Sequence, residues 1–179
     1  KWESKDGREY LRVLEFNVAK GEWTGRSWKY ALELNGNNIG DFNMIDADTG
    51  LIIERDNGEG LEHTACNGPA RPDCQNVPAR FKRIYKISLK DADADGFVRK
   101  IGYIDLLDIQ DPKGVAKVGG KDGKFTFPFV TIEDVDVVDA EHIVVANDNN
   151  LPYSSGRQLG KIDDNEFILL HVPGLLSAR

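Results

Sequence analysis

Positive charge is in short supply in this 179-residue chain: 23 Lys and Arg face 30 Asp and Glu, a formal net charge of −7. Such a balance repels a phosphate backbone and excludes nucleic acid as the main partner. Long apolar runs are missing as well. No stretch approaches the ~20 apolar residues of a membrane-spanning helix, and the opening KWESKDGREY has no apolar signal-peptide core. Sustained helical periodicity is absent, which excludes a helical bundle. The chain also has no G-x-S-x-G, no Walker A loop and no G-x-G-x-x-G. His63, His142 and His171 each lack a recognisable Ser or Cys partner, so nucleophilic catalysis finds little support. His142 and His171 alternate with apolar residues, as ordinary strand positions do.

Cysteine is scarce too. Cys66 and Cys74 bracket NGPARPD, a Pro- and Gly-containing surface excursion. A disulfide is the expected pairing, worth about 2.5 kcal/mol for so short a loop, and it implies an oxidising compartment, secreted or periplasmic. A metal site from His63, Cys66 and Cys74 lacks a fourth ligand at a recognisable spacing. Two reduced thiols are the third reading.

What the chain does have is a succession of short β runs: LRVLEFNV, WKYALEL, FNMIDA, GLIIERD, KRIYKISL, FVRKIGYIDL, VDVVD, HIVVAND and EFILLHV. All are rich in β-branched and aromatic residues, so the fold class is all-β. Only IDLLDIQDP, Ile104 to Pro112, suggests a helical turn. Trp2, Trp23 and Trp28 are assigned to hairpin and core packing. An internal repeat points to the architecture: Ile45-Asp46-Ala47-Asp48-Thr49 and the strand after it overlay Val138-Asp139-Ala140-Glu141-His142 and its strand, and both copies run on into Asp-Asn and a polar insertion. The expected fold is a β-propeller portion of about two and a half four-stranded antiparallel blades. A partial blade occupies residues 1–35, with further blades at 36–110 and 125–175. Propellers close with about four to eight blades. The chain is therefore expected to be the C-terminal part of a longer protein, partnered by missing N-terminal blades or another chain. An open β-sandwich is the alternative.

In such blades GNNIGD, ERDNG, PFVTIED and NDNNLPYSSGR share one face. Carboxylates Glu54, Glu133 and Asp148 there are candidate ligands for Ca²⁺ or another divalent ion. Arg55 and Arg157 are candidates to meet an anion bidentately, with Asn150 beside them and Asp56 as proton acceptor. Asp and Asn after a strand are also ordinary turn formers. Glu54 and Arg55 stand out because they lie inside a strand where propensity favours apolar residues. DADADG, Asp91 to Gly96, opens like a calcium loop, but Arg99 and Gly102 occupy its ninth and twelfth positions. It reads as a hairpin turn on the opposite face, with a peripheral structural cation as the second reading.

The ordered motifs GNNIGD, LIIERDNGEG, FKRIYKISL, DADGFVRK, DLLDI, FTFPFVTIEDVDVVD, VVANDNNLPYSSGR and DDNEFILLHV resemble the C-terminal half of the phytase-like domain family described as "esterase-like activity of phytase". The resemblance implies a β-propeller, export, and hydrolysis of a phosphorylated small molecule or related ester. Position by position it implies roles for Glu54, Asp56, Glu133 and Asp148, with Arg55, Asn150 and Arg157 beside them. Asp134, where relatives tend to have Gly, and the Cys66–Cys74 insertion depart from the family pattern. A non-catalytic propeller that binds a protein partner or assembles into a larger complex is the rival reading.

Overall fold

Asp6 and Gly7 both adopt positive φ, 53° and 79°, the backbone of a two-residue hairpin turn whose twist matches its strands. They join β1 (Glu3–Lys5) to β2 (Arg8–Asn17), which pairs in turn with β3 (Glu22–Ala31). The computed structural model describes residues 3–179, so Trp2 lies outside the described residues. A four-stranded antiparallel meander follows, β4 (Asn38–Met44), β5 (Thr49–Arg55), β6 (Lys82–Ser88) and β7 (Arg99–Asp105), in sequence order. A small sheet is built from β8 (Ile109–Gln110), β9 (Gly120–Lys121) and β10 (Lys124–Phe125). The last sheet pairs β11 (Ile132–Val137), β12 (His142–Asn147) and β13 (Phe167–His171), and a five-residue helix, α1 (Pro173–Ser177), ends the chain. The fold is all-β, and the successive antiparallel sheets do not close into a barrel among the described residues.

The internal repeat is one loop built twice. Asp46 Oδ1 accepts the N–H groups of Asp48 and Thr49, and Asp139 Oδ1 accepts those of Glu141 and His142. Ile45 N–H donates to the Thr49 carbonyl and Val138 N–H to that of His142, both at 2.9 Å. An Asp side chain replacing a backbone acceptor makes each turn self-sufficient. One local expectation fails. Asp105 ends a strand and caps a turn through Leu107 N–H, so Ile104 to Pro112 holds a turn and the two-residue β8 instead of a helical turn. The segment around residues 125–130 supplies core aromatics, and the last sheet has the three strands read as VDVVD, HIVVAND and EFILLHV.

Packing places the second sheet in the middle. Ile52, Tyr85 and Ile87 meet Tyr30 and Leu32 of the first sheet region. Leu51, Ile53 and Ile84 meet Ile132, Val135, Ile143 and Val145 of the last sheet, with Phe125, Phe127 and Phe129 completing that core. A strand covered on both faces reads as a continuous apolar run, which is why GLIIE is buried throughout. Gly40 permits the close approach of the second and last sheets, since a Cβ there would collide with the Ile132 carbonyl. DADADG docks on the first sheet: Lys29 N–H donates to the Gly96 carbonyl and Val98 N–H to that of Lys29. Trp28 packs beside the first core cluster, while Trp23 meets Phe16 edge-on at the exposed end of the β2–β3 hairpin, ring centroids 5.0 Å apart.

Candidate functional site

The alternation of side chains along β5 separates the two residues that stood out in the sequence. Glu54 shares a face with Ile52 and enters the gap between the first and second sheets; Arg55 shares a face with Ile53 and turns toward the last sheet. Glu54 is fully buried. Its carboxylate accepts from Tyr30 Oη at 2.6 Å, Glu33 N at 2.6 Å, Asn37 Nδ2 at 2.9 Å and Lys100 Nζ at 3.0 Å. The Lys100 ammonium lies over the Tyr85 and Tyr30 rings. Burial, reinforced by the Glu54 charge, holds the Tyr30 phenol far above its usual pKa. This satisfied network binds one sheet to the next and leaves Glu54 no lone pair for a metal.

Asp56 is committed as well. Its Oδ2 accepts Arg80 N–H at 2.7 Å and Phe81 N–H at 3.0 Å, and its Oδ1 lies 2.8 Å from Lys82 Nζ. Lys82 is completely buried and also donates to the Asp56 and Gly58 carbonyls. Burial lowers its pKa to about 8 against the pull of Asp56. The loop it clasps crosses to the segments that flank the strands of the last sheet, where Gly60 N–H donates to the Pro128 carbonyl, Gln75 Nε2 to that of Ser155, and Ser155 N–H to Glu59. Burial raises the Glu59 pKa. The Cys66–Cys74 disulfide braces this loop, which rules out a metal site from those thiols and His63. Sequence reading missed Lys82 and Glu59; the available signal was a Lys in register opposite Arg55 at a strand end.

Arg55 is different. Its side chain is 12% exposed, with Nη2 a loose 3.9 Å from Glu133 Oε1. Nη1 donates to Asn57 Oδ1 at 3.0 Å, which also accepts from Asn38 Nδ2. Its Nε is buried without a partner, and desolvation lowers its pKa despite Glu133 and Asp56. Two residues before Glu133, Thr131 is laced to the loop after β12. Thr131 Oγ1 donates to the Asp148 carbonyl at 2.6 Å and accepts from Asn150 Nδ2 at 2.8 Å. Asn150 sits at φ 45°, with its N–H on Asp148 Oδ1. Arg157 also has a buried Nε without a partner, but its terminal nitrogens are spent on structure: Nη1 donates to the Thr126 carbonyl, Nη2 to both Glu166 oxygens, and the guanidinium lies between Phe125 and Phe129.

The strand ends therefore gather Arg55, Glu133, Asn38 and Asn57 at one mouth, with Thr131, Asp148 and Asn150 following along the last sheet. Glu54 lies on the other side of its own sheet, and Arg157 is held by Glu166. The carboxylates Glu54, Glu133 and Asp148 do not form one cradle: no group of three His, Cys, Asp or Glu among the described residues could hold a metal ion.

A family model described as "Phytase-like: Esterase-like activity of phytase" matches residues 2–151. The chain belongs to the phytase-like family. The matched span includes β1 to β12 and the acidic tips of both repeat copies, and ends before β13, short of where the motif resemblance runs. No curated protein and no solved structure matches. The phytase-like family is one of phytase- and esterase-like hydrolases, which gives the reaction class within which the mouth is interpreted.

Proposed function

We propose that this chain hydrolyses phosphoric esters of a small molecule at the mouth between its second and last sheets. The observation that carries this is Arg55: a largely buried guanidinium with an unpartnered Nε and a slack contact to Glu133. A cation with donor capacity left over is suited to a phosphoryl group, whose oxygens accept in pairs. Arg55 would neutralise charge developing on those oxygens. Glu133, half-exposed beside it, would accept a proton from the attacking water. Asn38, Asn57 and Asn150 would orient the ester. The bond formed is from water oxygen to phosphorus; the bond broken is from phosphorus to the ester oxygen, which leaves as an alcohol once protonated. The donor set does not fit a three-carboxylate Ca²⁺ site, because Glu54 faces the wrong way.

The test is turnover of p-nitrophenyl phosphate and bis-p-nitrophenyl phosphate by the whole chain, with chelator and with Ca²⁺, Mg²⁺ or Zn²⁺ added. Hydrolysis is expected, falling about 10²-fold or more in Arg55→Gln, the scale of losing one preorganised electrostatic contact. No turnover under any of these conditions overturns the reading. It would favour a non-catalytic role in binding or assembly, which one observation supports: Glu54, Asp56 and Arg157 are all engaged in internal hydrogen bonds. An oxidising compartment, periplasmic or extracellular, fits the disulfide.

A further inference from the structure

We propose that Asn67 is a site of spontaneous deamidation, where the side-chain amide is exchanged for a carboxylate within the folded chain. Asn-Gly pairs are open to this reaction because a residue without Cβ lets its own backbone nitrogen reach the preceding side chain. The Gly nitrogen attacks Asn Cγ and gives up its proton; the amide nitrogen departs as ammonia, leaving a five-membered succinimide. Water then opens the ring at either carbonyl, to Asp or to isoAsp. The net change is one water consumed and one ammonia released.

The chain has three such pairs, Asn35-Gly36, Asn57-Gly58 and Asn67-Gly68, and the fold treats them differently. Two are locked at both reacting ends. Asn35 Oδ1 accepts Glu9 N–H at 3.0 Å and its Nδ2 donates to the Gly7 carbonyl at 2.7 Å, while the nitrogen that would attack, Gly36 N, donates to Glu9 Oε2 at 2.6 Å. Asn57 Oδ1 accepts from Arg55 and Asn38, and Gly58 N–H donates to Asp56 Oδ1 at 3.2 Å. Gly58 is also buried and wedged, with the Pro78 carbonyl where its Cβ would stand. Asn67 has none of these restraints. It lies exposed inside the Cys66–Cys74 loop, where Gly68 sits at φ 104° with nothing near the position a Cβ would take. Hydrogen bonds in that loop join Cys66 N–H to the Gln75 carbonyl and Arg71 to Asp73; among the described residues none involves the Asn67 amide or the Gly68 N–H. A locked pair reacts only in the small fraction of molecules whose local structure has opened, whereas Asn67 needs no opening. The product carries an added negative charge into the loop that Gln75 anchors to Ser155, and leaves the amide beside Arg55 intact.

The test incubates the whole oxidised chain at mildly alkaline pH over weeks and maps it by peptide mass spectrometry at acid pH, with fragmentation locating each exchanged amide. Asn67 should convert at least about tenfold faster than Asn35 or Asn57, with isoelectric focusing showing one added negative charge. In denaturant with the disulfide reduced, the protection is gone and the three rates should come within about threefold of one another. Asn67→Gln should abolish the charge change in the folded chain, because the longer side chain would have to close a six-membered ring. Glu9→Ala releases the Gly36 N–H and should speed Asn35 at least about threefold without changing Asn67, while a melting scan confirms folding. Asn35 or Asn57 converting as fast as Asn67 in the folded chain would overturn the proposal. So would an Asn67 that converts only after denaturation, or an unaltered Asn35 rate in folded Glu9→Ala.

Discussion

Replacing Glu54 by Gln keeps the shape of the side chain and removes its charge, and the structure dictates the outcome. Four donors converge on this carboxylate, one of them the Lys100 ammonium, and Glu54 is fully buried. The amide offers one acceptor oxygen and turns an NH₂ toward groups that are themselves donors. Lys100 keeps Glu33 at 3.1 Å but loses its buried counter-ion. Breaking one side of a buried ion pair costs about 3–5 kcal/mol. For a chain of this length, with about 2.1 cal/mol/K of unfolding entropy per residue, that is a drop in Tm of roughly 8–13 °C. Differential scanning calorimetry at neutral pH checks it, with Glu54→Gln/Lys100→Met recovering part of the loss because no orphan charge remains. A Tm within about 2 °C of the unsubstituted protein would refute the reasoning, since the loss expected is several times larger. So would an unshifted Tm with lost hydrolysis, which would return Glu54 to the chemistry.

Lys82 gives a pH signature. Its pKa in the fold is about 8 against an ordinary 10.5, so between those values the unfolded chain binds more protons and this residue's contribution to stability rises with pH. Subtracting the Lys82→Met denaturation profile from that of the unsubstituted protein should leave a difference that climbs from pH 8 to 10.5; a flat or falling difference contradicts the burial argument. Removing the disulfide by Cys66→Ser with Cys74→Ser should cost about 2.5 kcal/mol, and hydrogen exchange should quicken around Ser155, which the braced loop holds through Gln75. Gly40→Ala should destabilise by about 3 kcal/mol in urea titrations, because the added methyl strikes the Ile132 carbonyl and the second and last sheets must part.

The strand pattern was readable because burial on a sheet has a fixed period. GLII is apolar throughout because both its faces are covered, and the duplicated Asp46 and Asp139 turns carry the same side-chain bonds that their sequences share. The site was less legible. Sequence placed Glu54 and Arg55 together because they are adjacent, whereas pleating sends adjacent residues to opposite faces. Asp56 and Arg157 looked available until their partners, Phe81 N–H and Glu166, came from 25 and 9 residues away.

Lys82 and Lys86 project from the same face of β6 on either side of Ile84. One ammonium clasps the loop at the mouth; the other donates to the Leu176 and Ala178 carbonyls of the terminal segment. A slip of β6 by a single residue would carry both to the opposite face, releasing the mouth and the tail in the same event. Alignment of that one strand is thus a shared latch, and two regions distant along the chain should loosen together or not at all.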